Sequence, residues 1–517
     1  VKGRRGAVAV DLGATSGRFA IGQVEDGAIR FEIGEQTPHQ VRTERGRVVW
    51  DLDTLLSIAR HGLEAAQAGF DRASIGIDTW GVDHAFVSHQ GELLGPPVAY
   101  RDPTHQIAFD SISDHQPRLY ELTGIQRQPF NTLCQLIARR TEDPTLPDRS
   151  RFVMMPDLIA RLLGAELGSE ITQASTTQLL GIDGCWSAEA FAIAGWPVPE
   201  VQPVLPGTQI GSSGGVDIVR VGGHDTASAV VGFGTLTDRD LFLNVGTWSV
   251  MGCMLDAPLT SPEGEAANFT NERAADGRVR YLKNIPGFYV VNRIHEELGI
   301  TETVGDWLER ASDPGVRADL HDPLLFNPSS MAEACATLAG KVPDGPEAWA
   351  GLALFSLVDA LGAVPEELNQ VTGRSFDRIR VAGGGSRSLA FCQAEVWRSA
   401  KPSPTAPVCP WSPAPWKAPS SATWPCSSWR KASTRMWRRW RPPSTEASRR
   451  TRPCRGLASD RSADADLSVR RLLRGGRHRH GRSASTDRLP SRVSCRTDVL
   501  RPATVQRRRL GGEPRGR

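Results

Sequence analysis

An α/β protein built from two related halves is what this sequence predicts, and three observations carry that expectation. A strand, a turn of Gly and small hydroxyl residues and a second strand open the chain, as Ala7-Val-Ala-Val-Asp-Leu-Gly13, Ala14-Thr-Ser-Gly-Arg18 and Phe19-Ala-Ile-Gly-Gln-Val24. The same pattern returns in the second half as Asp240-Leu-Phe-Leu-Asn-Val-Gly246, Thr247-Trp-Ser249 and Val250-Met-Gly-Cys-Met-Leu255. Strand-like and helix-like segments alternate after each unit, which is the arrangement of an α/β fold.

The elements follow in order. Leu52–Ala68 has helical periodicity, Ala73–Asp78 reads as a buried strand, and Pro156–Leu163 reads as a helix. After the second unit, Ala348–Leu368 predicts a long helix, and Ile379-Arg-Val381 a strand running into Gly383-Gly-Gly385. No apolar run is expected to reach the ~18 residues that span a bilayer. The basic opening lacks a secretory pattern, and the nine Cys show no CxxC pairs, so neither a disulfide framework nor a zinc site is suggested. A soluble cytoplasmic protein is the expectation.

The net charge of +3 averages two unlike pieces. Residues 394–517 hold 29 Lys and Arg against 8 Asp and Glu, whereas residues 1–393 hold 32 against 50. The tail has no Ile, Phe, Tyr or Asn yet contains seven of the fourteen Trp, so it cannot supply a core at helix or strand periods.

Five segments could carry chemistry. Asp11–Arg18 sets an acid at a strand end before a turn rich in N–H groups, a shape that cradles an anion. Thr15, Ser16 and Arg18 can donate to phosphate, and Asp11 could hold Mg²⁺ directly or through water. An ordinary hairpin turn is the plain alternative. Val245–Ser249 and Gly383–Arg387 are two more such loops, whose glycines let backbone approach a ligand closely. Gly222–Ala229 contains His224, Asp225 and Thr226, where Asp225 suits a general base or, equally, a helix cap. Ile75–His84 joins two carboxylates to Trp80 and Gly81, a mixture that suits a polyol; a surface loop with one buried Trp is the alternative.

Taken together and in order, these segments resemble the FGGY family of carbohydrate kinases, of the actin/hexokinase (ribonuclease H-like) superfamily. The resembling stretches are VDLGATSGR (10–18), GIDTWGVD (76–83), TGIQ (123–126), NTL (131–133), MMPDL (154–158) and TQASTTQLL (172–180). They continue with HDTASAV (224–230), NVGTWS (244–249), NFTNE (268–272), LKNIPGF (282–288), FNPSSM (326–331) and AGGGSR (382–387). Coverage runs from about residue 7 to 393, and GIDTWGVD and LKNIPGF look particular to the branch that phosphorylates L-rhamnulose.

The resemblance implies two duplicated actin/hexokinase-like domains around a cleft, an N-terminal one over 1–236 and a truncated C-terminal one over 237–393. It implies ATP-dependent phosphorylation of L-rhamnulose at its terminal hydroxyl, with ATP and Mg²⁺ as cofactors and a sugar as the other partner. Asp225 would be the catalytic base, with His224 and Thr226 on the sugar and Gly81 and Asn284 in sugar-binding segments. Ala14, Thr15, Ser16, Gly17 and Arg18 would hold the ATP phosphates, with Thr247 near them. Asn292 would contact the nucleotide, and Gly384 and Gly385 would border the adenosine. Asn292 stands where relatives carry Gln, and Pro286 where a small or apolar residue is usual. Another ketose or polyol kinase, for fuculose or xylulose, is the neighbouring reading.

Residues 394–517 depart from the resemblance, because the Gly-Pro-Val-Glu stretch expected there is absent. Back-translated with G/C-rich codons and read from the third base of the Pro413 codon, residues 413–432 can encode GPVEGTVLGNVAVQLVAEG. Trp416-Lys417 forces the Glu codon, and Trp424 and Trp429 force triplets ending in TG. A one-base slip between about 393 and 413 therefore accounts for a basic tail, expected to be disordered, as out-of-frame translation, and for an inactive product if the slip is real in the cell. A genuine basic tail on a nucleic-acid-binding protein is the rival. No membrane or nucleic-acid partner is expected.

Overall fold

The computed structural model describes residues 3–388 together with 390 and 391. The expectations about residues 394–517, the tail's disorder among them, lie outside the described residues.

Each half is organised around a sheet that its opening hairpin begins. In the first, Arg5–Leu12 pairs antiparallel with Ser16–Glu25, which pairs with Ala28–Ile33. On its other side Arg5–Leu12 runs parallel to Arg72–Thr79, followed by Val216–Val219 and Gln209–Ser213. In the second, Asp240–Val245 pairs antiparallel with Trp248–Leu255 and parallel with Arg378–Ala382. Val279–Pro286 and Thr270–Arg273 extend that sheet beyond Trp248–Leu255. A hairpin with a parallel strand beside its first member is thus the unit that recurs, as the sequence predicts.

Helices cover the sheets where their apolar periodicity directs them. Leu52–Gly69 starts at Asp51, whose carboxylate accepts the Thr54 hydroxyl at 2.7 Å. It buries Leu55, Ile58, Ala59, Leu63 and Ala66 against the first sheet. Gly62 lets the helix lie close, since a Cβ there would come 3.1 Å from a Val10 methyl. Met155–Leu162 packs beside it.

The second core is built on Pro346–Thr372, which has Pro at its first turn and ends at Gly373 in the left-handed region. It buries Leu354, Leu357, Val358, Leu361, Val364 and Leu368 among the side chains of the second sheet. This helix corrects one expectation: at 27 residues and a mean hydropathy of 1.5 it is long and apolar enough to cross a membrane. More than half of its apolar window is instead buried inside the protein, and Lys283 of the second sheet pairs with its Glu367. Cys134, Cys253 and Cys335 are buried free thiols.

Candidate active site

A cavity of about 750 Å³ gathers nearly all of the residues singled out by the sequence. From the first half come Asp11, Ala14, Thr15, Ser16, Arg18, Gly81, His224, Asp225 and Thr226. From the second come Thr247, Asn284, Asn292, Gly384 and Gly385. Gly17 is the exception. A Cβ there would press on Leu12 and Ile58 at 2.7 and 2.8 Å, so this glycine admits the close contact between strand and helix.

The first turn is braced from outside its own segment. His39 Nε2 lies 2.8 Å from the Gly13 carbonyl oxygen, and the Gln36 amide donates to Ser16 Oγ at 2.6 Å. Arg18 does not point freely at the cavity. The antiparallel register sets it opposite Asp11, and its Nε and Nη2 donate to the Asp11 carboxylate at 3.1 and 3.0 Å. Asp11 also faces Asp78 across the parallel pair. Burial, and then the charges of Asp11 and Asp225, push the Asp78 carboxyl well above its ordinary value.

Asp225 opens the helix Asp225–Gly232, with His224 as the cap residue, so it is the first helical residue and not the cap. Its Oδ1 accepts from the Thr226 backbone N–H at 2.6 Å. Burial pushes its carboxyl up to about 6; His224 and Arg280 oppose the rise and Asp11 adds to it. The Gly222–Thr226 segment is held from below by Glu170. That carboxylate accepts from the Gly223 N–H at 3.0 Å and from Thr172, whose hydroxyl oxygen accepts from the His224 N–H.

The GIDTWGVD segment divides its labour otherwise than expected. Trp80 and Gly81 line the cavity, but Asp83 turns away into the core. Val82 sits at a φ of 68°, reversing the chain, and Asp83 then accepts from Trp50 Nε1 at 2.6 Å, Trp80 Nε1 at 2.8 Å and the Tyr100 N–H. Burial lifts its carboxyl to about 7, although the bonds from Trp80 and Trp50 oppose that. Asp83 therefore orients the Trp80 ring and does not meet a sugar. Tyr100, Phe130 and Trp248 complete an aromatic wall, with Phe130 and Trp248 centroids 5.4 Å apart.

Sequence reasoning also missed Glu272 and Arg280, which lie against His224 and Thr226. Arg280 stands among apolar neighbours on Val279–Pro286, a strand buried on both faces, so no period-two pattern marks its side chain.

Comparison with known proteins decides the family. Residues 7–232 match the N-terminal domain of the FGGY family of carbohydrate kinases, and residues 241–395 match its C-terminal domain. The chain belongs to the FGGY family of carbohydrate kinases. It is 36% identical over 400 residues to a rhamnulokinase of Yersinia pestis (strain Pestoides F), covering 74% of this chain and 82% of that protein. Its fold is similar to a ligand-bound xylulose kinase of Lactobacillus acidophilus, at a TM-score of 0.61 and 16% identity over 75% of this chain and 83% of that one. A gluconate kinase of the same organism has a TM-score of 0.62 at 16% identity, with the same coverage. As an FGGY kinase the protein transfers a phosphoryl group from ATP to a sugar.

Residues that suit a metal can be judged from the donors present. Among the described residues no three His, Cys, Asp or Glu side chains converge into a cage. Mg²⁺ needs none, because it keeps several waters and binds through one or two carboxylates plus substrate phosphates. Asp11 on the cavity wall fits that pattern, and the mutual repulsion of Asp11, Asp78 and Asp225 is what a cation would relieve.

Proposed function

We propose that the protein phosphorylates L-rhamnulose at its terminal C1 hydroxyl, as a step of L-rhamnose breakdown, with Asp225 as general base. The observation that carries this reading is Asp225 itself: a half-buried carboxylate at a helix start, facing the cavity that the two hydroxyl turns and the Gly383–Ser386 loop line. Likeness to a rhamnulokinase at 36% identity supports the choice of sugar.

The chemistry asks little of the protein beyond positioning and charge balance. Asp225 accepts the proton of the C1 hydroxyl as that oxygen bonds to the γ-phosphorus. The bond from phosphorus to the bridging oxygen breaks, and its electron pair leaves with ADP. Thr15, Ser16 and the N–H groups of the first turn donate to phosphate oxygens, and Thr247 does so from the second. Asp11 would hold Mg²⁺, whose charge would offset that of the phosphates, and Arg18 would donate to a phosphate oxygen. Gly384, Gly385 and Asn292 border the nucleotide, while Gly81, His224, Thr226 and Asn284 take the sugar hydroxyls. The aromatic wall of Trp80, Tyr100, Phe130 and Trp248 covers C–H surface and excludes water.

An ADP-release assay on L-rhamnulose, L-fuculose, D-xylulose and glycerol tests the reading. Preference for L-rhamnulose in kcat/KM supports it, and transfer to xylulose but not rhamnulose overturns the choice of sugar. The same proposal treats 394–517 as a non-native end, since the family match stops at 395 where the composition changes. Sequencing the DNA across codons 385–445 checks this: a single extra or missing base that restores Gly-Pro-Val-Glu supports the slip, and a confirmed frame refutes it.

A further inference from the structure

Arg280 lies on Val279–Pro286 in the second half, with a side chain wholly removed from solvent, yet it bonds to the first half. Its Nη1 donates to Thr226 Oγ1 at 2.6 Å. Nη2 donates to His224 Nδ1 at 3.0 Å and to Glu272 Oε2 at 2.9 Å, and Nε to the Arg273 carbonyl at 3.3 Å. Two of these four acceptors belong to the residues on either side of Asp225.

A guanidinium has only donors and keeps its charge inside proteins, so a ring nitrogen that faces it at 3.0 Å must accept. Glu272 Oε2 also approaches His224 Nδ1, at 3.3 Å, but a proton on Nδ1 would face the Arg280 N–H at the shorter 3.0 Å. With Nδ1 accepting, the neutral imidazole carries its proton on Nε2. That nitrogen lies 3.2 Å from Thr226 Oγ1 and 3.5 Å from Asp225 Oδ1, and a Cβ on Gly81 would come within 3.2 Å of it. Thr226 Oγ1 likewise accepts from Arg280, so its own hydrogen is left to point elsewhere. Burial raises the Glu272 carboxyl, but the Arg280 guanidinium is foremost among the neighbours that oppose this, and the carboxyl is held below its ordinary value.

We propose that Arg280 is a positioning residue for phosphoryl transfer, fixing His224 as the Nε2–H tautomer so that the side chains flanking Asp225 present donors to the sugar. The proposal rests on the ketose reading above. A ketose carbonyl oxygen at C2 can only accept, and it is two bonds from the carbon whose hydroxyl reacts. An Nε2–H donor bound to that oxygen would hold the C1 hydroxyl against Asp225.

Two measurements on the full chain test this separately. Selective ¹⁵N-histidine NMR, with His224→Gln to assign the resonance, is expected to show Nδ1 unprotonated and Nε2 protonated; the opposite tautomer overturns the inference. In kinetics, Arg280→Met combined with Glu272→Gln removes both buried charges together and should raise the ketose KM by about tenfold or more. The KM for ATP should stay within about twofold, because the lost bonds face the sugar. Arg280→Lys, which keeps the charge and a single donor position, should recover part of the loss. An unchanged ketose KM in the folded double variant, or equal rises in both KM values, overturns the inference. If the double variant does not fold, Arg280→Lys and the tautomer decide. If the full chain phosphorylates no ketose, the functional reading fails and the tautomer alone decides for or against Arg280.

Discussion

The two halves repeat one backbone unit and load it with different charge. The first strand reaches its turn through Asp11, and the second reaches the equivalent turn through Asn244. Across the parallel pairing, Asp11 faces Asp78, whereas Asn244 faces Ala382. The first half thus brings Asp11, Asp78 and Asp225 together, and burial, then the charges of Asp11 and Asp225, push the Asp78 carboxyl well above its ordinary range. The second offers the cavity Asn244, Thr247, Asn284, Asn292 and glycines, with no carboxylate except Glu272, which Arg280 neutralises. Duplication supplied the cleft, and chemistry needed the copies to diverge. A base and a cation site demand carboxylates; a wall for a polyphosphate demands their absence.

The sharpest way to break that comparison is to make the first half neutral where it matters most. Asp225→Asn should lower kcat by about 10²–10⁴-fold, the usual worth of a general base, while ATP affinity by calorimetry stays within about twofold. Retained turnover would remove Asp225 from its role. The same substitution should also stabilise the fold. A carboxyl raised to about 6 gives stability that is full below its unfolded value and lost as pH rises through 6. Asp225→Asn should therefore melt higher than the parent at pH 7 and show no such gain at pH 4.

Titration tests the charged half without any mutation. Asp225 acts as a base only when ionised, so kcat/KM should fall tenfold per pH unit below about 6. A flat profile down to pH 5 would place the base elsewhere. Conversely, charging the neutral half should harm the nucleotide first. Asn244→Asp gives the second turn the acid of the first, and should raise the KM for ATP about tenfold by repulsion from phosphate, with the sugar KM little changed. Equal affinity in the variant would mean that the phosphates do not approach the second turn.

Much of this was legible in the sequence, for reasons that differ by residue. Arg5–Leu12 and Leu52–Gly69 show in apolar periodicity, because each buries one defined face, whereas Asp240–Val245 and Trp248–Leu255, buried on both faces, show as apolar runs around a Gly and hydroxyl turn. The cavity residues were legible because three Gly and hydroxyl loops at strand ends occur together in one order, whereas each alone is also an ordinary turn. The packing demand at Gly17 was not legible, since a glycine beside a turn looks the same whether it admits a ligand or a helix. Asp83 was misread because the left-handed residue Val82 redirects it, and no local pattern announces a non-glycine at positive φ. Arg18 lay within the predicted turn, but its bond to Asp11 follows from strand register, which only the paired structure fixes.

The smallest expected effect separates three adjacent glycines in the neutral half. At Gly384 a Cβ would meet nothing within 4 Å, so the fold tolerates Ala there and only a ligand would feel the methyl. Gly384→Ala should keep the parent melting temperature and raise the KM for ATP by no more than about threefold, a few tenths of a kcal/mol of lost packing. Gly383 has a φ of 94°, and a Cβ there would collide with the Val245 carbonyl. Gly383→Ala should therefore cost about 1–3 kcal/mol of stability whatever is bound, read as a lower melting temperature. Gly385 lies between the two, since its Cβ would strike the side chains of Val245 and Phe288, which can shift. If Gly384→Ala instead destabilises the free protein and leaves ATP untouched, the loop is structural throughout and the nucleotide lies elsewhere in the cleft.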